Sequence, residues 1–207
     1  MSKYAIILDG GFVIRKHQDQ LKRFPTVEDF EDVRKKIGNH PYLKESELYR
    51  VFMHHAEPCS EVITNPLDNS VKDLSKTEQF KNNTTLLHSL NLTPFYAVRL
   101  GTLSFTGWKI GQKAMKRITK PSSKSKDVKA RDLVPDIAQK GVDIKIALDM
   151  SFLATNKLVD KIVLVSGDSD MVPVLKMVRT SGVQVFLDSF GHGLKLELKY
   201  HVDDILS

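Results

Sequence analysis

Four aspartates stand in settings where they could do chemistry. Asp9 lies in Leu8-Asp9-Gly10-Gly11, Asp143 in Lys140-Gly141-Val142-Asp143, and Asp168 and Asp170 in Ser166-Gly167-Asp168-Ser169-Asp170. Carboxylates crowded together repel, and some have their pKa values raised unless a counter-charge is present. A hard divalent cation removes that conflict, and oxygen-only ligation selects Mg²⁺ or Mn²⁺. Such a site suits phosphodiester hydrolysis, in which metal ions activate a water, orient the scissile phosphate and stabilise the leaving oxygen. Each aspartate also has an ordinary local role, as a turn former at Asp9 and a helix cap at Asp143. The chemical reading therefore depends on whether the fold gathers them.

The stretch Ile162 to Val178, IVLVSGDSDMVPVLKMV, reads as a buried parallel strand, a tight Ser-Gly loop and a helix. Pro173 fits a first helical turn, where its missing N–H costs nothing. Asp168 and Asp170 then sit at the carboxyl end of a strand, where open α/β sheets bind ligands. The segment from about Val142 to Ala154 is apolar nearly all round, which predicts a helix buried between the sheet and other elements. Preceding the Ile162 strand in an α/β layer, it runs antiparallel to that strand, so its N-terminus and Asp143 approach Asp168 and Asp170. Asp149 lies six residues on, about 9 Å along the axis, and is read as a supporting hydrogen-bond or ion-pair group.

Tyr4 to Leu8 is a short apolar strand ending at Asp9, with glycines that let another backbone or a phosphate approach. A helix is predicted over Val27 to Ile37 with Thr26 as N-cap, and a strand over Leu48 to His54. His54, His55 and Cys59 invite a zinc reading, but no second Cys or His stands at ligand spacing. Residues 60–91 read as a loop insertion followed by a crossover helix, and Phe95 to Leu100 as a third strand. Gly101 to Ile118 is predicted to form a hairpin with Gly107 in its turn. Val183 to Leu187 gives a last parallel strand, and Leu194 to Leu206 a short helix with a docked end.

Charge concentrates between Lys109 and Arg131. Lys109, Lys113, Lys116, Arg117, Lys120, Lys124, Lys126, Lys129 and Arg131 face only Asp127, which outweighs the whole chain's net charge of +6. Basic runs are often just solvated loops. The alternative is a phosphate-backbone surface whose contacts are salt-sensitive, with Trp108 adding base stacking. The pI near 9.3 makes a polyanionic partner reasonable. The single cysteine, Cys59, fits a reducing, cytoplasmic setting, and no apolar run approaches the roughly 18 residues of a membrane span.

The Asp9-Gly-Gly start, the Lys140-Gly141-Val142-Asp143 segment and Ser166-Gly167-Asp168-Ser169-Asp170 together resemble the NYN domain of the PIN-like nuclease superfamily, in its LabA-like branch. The resemblance implies one domain over 1–207: an α/β, three-layer α/β/α sandwich with a central, mainly parallel sheet. Insertions fall at about 60–91 and in a basic hairpin or loop at about 101–131. It further implies a metal-dependent ribonuclease, with Asp9, Asp143, Asp168 and Asp170 catalytic and metal-binding and Ser166 supporting. Lys109, Lys113, Lys116, Arg117, Lys126, Lys129 and Arg131 are the candidate RNA contacts. DNA stays open as the polymer, because a basic segment reads phosphate and not sugar, and the oligomeric state stays open, a homodimer included. Many NYN domains carry Asn three residues after the first Asp; this chain carries Phe12. Two rivals stand beside this reading: a weak or inactive RNA-binding module of the same fold, and a haloacid-dehalogenase-type phosphatase. The phosphatase needs a second Asp where this chain has Gly11.

Overall fold

Strand β1 (Lys3–Asp9) shows how the layers form. Its side chains alternate, so Tyr4, Ile6 and Leu8 enter one core while Ala5 and Ile7 enter the other. In this computed structural model, which describes residues 1–120 and 127–207, β1 lies in the middle of a seven-stranded sheet. The order is β6-β5-β2-β1-β7-β8-β9, formed by β2 (Glu47–Ala56), β5 (Tyr96–Ile110), β6 (Leu133–Lys140), β7 (Lys161–Val165), β8 (Gln184–Asp188) and β9 (Asp204–Ile205). Every pairing is parallel except β5 with β6. Helices α1 (Gly10–Leu21), α2 (Val27–Gly38) and α3 (Glu78–Leu92) bury Val13, Phe30, Ile37 and Leu90 against one face. Helices α5 (Val142–Thr155), α6 (Val172–Thr180) and α7 (Leu196–Tyr200) bury Ile146, Met150, Leu175 and Leu198 against the other. The result is the expected α/β/α sandwich, which places all the parallel strand ends on one edge.

Thr26 starts α2, with its backbone N–H donating to the Asp29 carboxylate at 2.7 Å. Pro173 falls within the first two positions of α6. The 60–91 insertion contains a small antiparallel pair, β3 (Val62–Thr64) and β4 (Val71–Asp73), ahead of α3.

Three expectations are corrected. First, helix α1 follows β1 directly, where only a glycine turn was anticipated. Two glycines are poor helix formers, yet Asp9 caps the helix by accepting from the Phe12 N–H. Gly10 is required because a Cβ there would lie 2.6 Å from the His54 carbonyl oxygen of β2. Second, Gly107 is not a hairpin turn. Its φ of +136° sits at a register shift within one continuous strand, a bulge. The chain runs on to Ile110, forms helix α4 (Gln112–Thr119), and returns as β6. Pro135 hid β6, because proline is tolerated in an edge strand. Third, α5 is not covered on all sides: Ile144, Leu148 and Phe152 are 66%, 62% and 59% exposed.

The β5–β6 pair leaves the sheet as an arm. The last β2 partner of β5 is Gly101, opposite Ala56. From there to Ile110 the strand projects past the carboxyl edge, and nine further residues extend about 30 Å. Trp108 fixes the arm to the insertion, its indole N–H donating to the Thr64 carbonyl at 3.0 Å. Among the described residues, no helix is long and apolar enough to cross a membrane.

Candidate active site

Register brings the first pair of site residues together. Leu8 of β1 pairs with Val165 of β7, so Asp9 and Ser166 emerge side by side at the carboxyl edge. The Ser166 hydroxyl donates to Asp9 Oδ2 at 3.1 Å, and the Asp168 N–H donates to Ser166 Oγ at 3.2 Å. The Asp170 N–H donates to Asp168 Oδ1 at 2.9 Å, while Asp9 Oδ1 accepts from the Phe12 N–H at 3.2 Å. Ser166 is only 1% exposed. A buried hydroxyl thus ties the first strand's carboxylate to the loop that carries the other two.

Asp143 enters from the opposite helical layer. Gly141, with φ at +80°, makes the sharp turn from β6 into α5 and occupies the N-cap position. Asp143 is therefore a first-turn residue and not the cap. Partial desolvation, and then the negative charges of Asp9, Asp168 and Asp170, raise its carboxyl pKa above the ordinary value. The four aspartates consequently share one electrostatic environment. Among the described residues, no three His, Cys, Asp or Glu side chains are placed to hold a metal ion between them. A hydrated Mg²⁺ keeps several waters and uses one or two carboxylates, and the donor chemistry here, all carboxylate and hydroxyl oxygen, fits that demand.

Asp149 is engaged elsewhere. It accepts from Arg99 Nε at 3.1 Å and lies 3.0 Å from Nε2 of the fully buried His54. Burial raises its pKa, but His54 and Arg99 outweigh that and hold the carboxyl below its ordinary value. His55 contacts the Asn83 side-chain oxygen at 3.0 Å, and burial lowers its pKa. Cys59 points to Glu61. The two histidines and the cysteine thus have separate partners.

The basic segment lies at the far end of the arm. Lys109 pairs with Asp136 at 2.6 Å and Arg117 with Asp132 at 2.6 Å. Asp132 also accepts from the Lys129 backbone N–H at 2.9 Å. Lys113 and Lys116 are exposed on α4, and Lys129 and Arg131 are exposed beside it. Lys126 lies outside the described residues.

The NYN domain family model matches residues 95–206. The chain belongs to the NYN domain family. The matched stretch contains Asp143, Asp168 and Asp170, and the sheet supplies Asp9 from outside it. No curated protein matches the chain significantly. A solved structure of a protein of unknown function from Vibrio parahaemolyticus RIMD 2210633 is 16% identical. It matches with a TM-score of 0.53 over 99% of this chain and 91% of that one, a likeness of fold.

In this NYN chain, sequence reasoning missed two cations close to the Asp168 loop. Lys195 donates to Ser169 Oγ at 3.1 Å, and Lys16 Nζ lies 3.0 Å from His192 Nδ1. Phe12 packs against that group: its ring is edge-on to His192, and a Cβ at Gly167 would lie 2.9 Å from it. The only signal for Lys16 was its place on α1, an element the glycine pair concealed.

Proposed function

We propose that this chain, over 1–207, is one NYN unit of the LabA-like branch of the PIN-like superfamily. In this reading it is a metal-dependent ribonuclease, an endonuclease acting in the cytoplasm. The observation that carries the reading is the link from Asp9 through buried Ser166 to the Asp168 loop, with Asp143 facing the same charges. One or two carboxylates among Asp9, Asp143, Asp168 and Asp170 would hold a hydrated Mg²⁺ or Mn²⁺, the others bonding its waters; the ion would supply an activated water and neutralise charge on the scissile phosphate. Ser166 fixes the rotamer of Asp9 through its hydroxyl. Lys195 and Lys16 offer positive charge to phosphates beside the aspartates, and the arm offers Lys113, Lys116, Lys129 and Arg131 further along a bound strand.

The test is cleavage of labelled single-stranded and structured RNAs and DNAs with Mg²⁺, Mn²⁺ or EDTA, comparing the native chain with Asp168→Asn. Metal-dependent products that disappear in the variant support the nuclease and name its polymer. One observation favours the second reading, an RNA-binding module with weak or no activity: position 12 contributes a buried aromatic ring where many relatives present a polar Asn. Metal-independent RNA binding without products from the native chain would select it.

A further inference from the structure

A cleft of about 620 Å³ opens beside Asp9. Three parts of the chain wall it: α1 through Gly11 and Arg15, the insertion and α3 through Lys72 and Phe80, and the base of the arm through Leu103 and Gln139. Its inner end reaches the site. A Cβ at Gly11 would lie 3.6 Å from Asp9 Oδ1, and His55, another lining residue, feels the Asp9 charge.

The lining has an unusual balance for a cavity that reaches Asp9. Among the described residues that form it, none is acidic, while Arg15 and Lys72 are exposed cations. Phe80 and Phe24 are half-buried rings, and the exposed Gln79 and Gln139 supply hydrogen-bonding groups. Cations on an apolar, ring-bearing wall suit an anion attached to a flat heterocycle. The volume lies within the range of sites that enclose small organic ligands, and unpaired bases are commonly held by stacking on aromatic side chains.

We propose that this cleft is a subsite for the unpaired nucleotide next to the phosphate held at the aspartates, its base against Phe80 and its flanking phosphates on Arg15 and Lys72. The proposal rests on the reading of the chain as a protein acting on nucleic acid, and it selects single strands, because a paired base cannot enter.

Cys59 lines the same cleft and is the chain's one cysteine, which makes it a built-in reporter. The experiment measures the rate of Cys59 alkylation by uncharged N-ethylmaleimide. The additions are a single-stranded RNA hexanucleotide, or the same sequence in a duplex, with Ca²⁺ replacing Mg²⁺ and the RNA checked as intact. Binding is followed in parallel by fluorescence anisotropy. Saturating single strand is expected to slow alkylation about tenfold, the duplex to leave it unchanged, and Phe80→Ala to weaken binding about tenfold. Arg15→Glu with Lys72→Glu, both at exposed positions, is expected to abolish protection at the same RNA concentration. Bound RNA without protection, or equal protection in the charge-reversed variant, overturns the subsite and leaves the nuclease reading standing. Protection by RNA in a chain that cleaves nothing with Mg²⁺ or Mn²⁺ supports the subsite and ends the nuclease reading.

Discussion

The acidic edge and the basic arm are the two charged regions of this molecule, and they are built in opposite ways. The aspartates issue from central strands or from the first turn of a packed helix, and a buried serine couples two of their elements. The lysines and arginines sit on and around the tip of an antiparallel extension whose two strands, among the described residues, are each other's sheet partners beyond Gly101. Two of those cations are already matched by acids, Lys109 by Asp136 and Arg117 by Asp132. Fixed geometry suits chemistry, which tolerates little displacement of its groups. Exposed charge on an arm suits backbone contact, which depends on field more than on angle.

Substitutions should separate the two regions sharply. Asp168→Asn is expected to lower RNA cleavage by more than about 100-fold, since even a partner behind a metal ligand is worth 10- to 100-fold. Ser166→Ala should fall within that smaller range and cost about 1 kcal/mol of stability, read by denaturant unfolding. Cleavage unaltered by either change would detach the aspartate cluster from the reaction.

Asp149→Ala is expected to cost about 1–3 kcal/mol, because it strands the buried His54 ring nitrogen. Its cleavage per folded molecule should stay near that of the native chain. A loss of activity as large as that of Asp168→Asn, with stability intact, would instead put Asp149 inside the site.

On the arm, replacing Lys113, Lys116 and Lys129 by Gln together should weaken RNA binding and flatten its salt dependence by about 0.7 per lost single-strand contact. Lys109→Gln should change the slope least, since Asp136 already occupies its ammonium. Equal effects at Lys109 and Lys113 would show that pairing does not decide which cations meet phosphate.

The smallest effect concerns pH. The raised pKa of Asp143 means that the native state binds this proton more tightly than the unfolded chain does. Stability is therefore lost as pH rises from the ordinary carboxylate value through the folded one, and the penalty is in full once pH is above both. Asp143→Asn should raise Tm slightly at pH 7 in low salt, with the advantage shrinking as pH falls below that window. A lower Tm at pH 7 would mean that Asp143 makes a stabilising contact outweighing the repulsion.

Much of this architecture was legible locally. Ile162 to Val165 is a continuous β-branched and apolar run, and Pro173 marks the helix start. The antiparallel rule for a crossover helix then placed Asp143 beside Asp168. What stayed hidden depended on partners distant in sequence. Helix α1 begins on two glycines whose purpose appears only when His54 is seen against Gly10. Strand β6 contains a proline that is harmless because β6 is an edge. Helix α5 has apolar residues all round, and composition alone could not say that Ile144, Leu148 and Phe152 would remain exposed.

The sequence by itself determined the sheet's parallel core, the carboxylate-bearing strand ends and the excess of positive charge, because these follow from residue type and short-range periodicity. Tertiary structure alone decided that Ser166 bonds Asp9 across 157 positions and that Asp149 serves His54 and Arg99. It also decided that Lys195 meets Ser169, that Lys16 meets His192 and that a cleft opens beside Asp9. Hydrogen bonds and charge pairs act over a few ångströms, and only the folded chain sets which residues come that close.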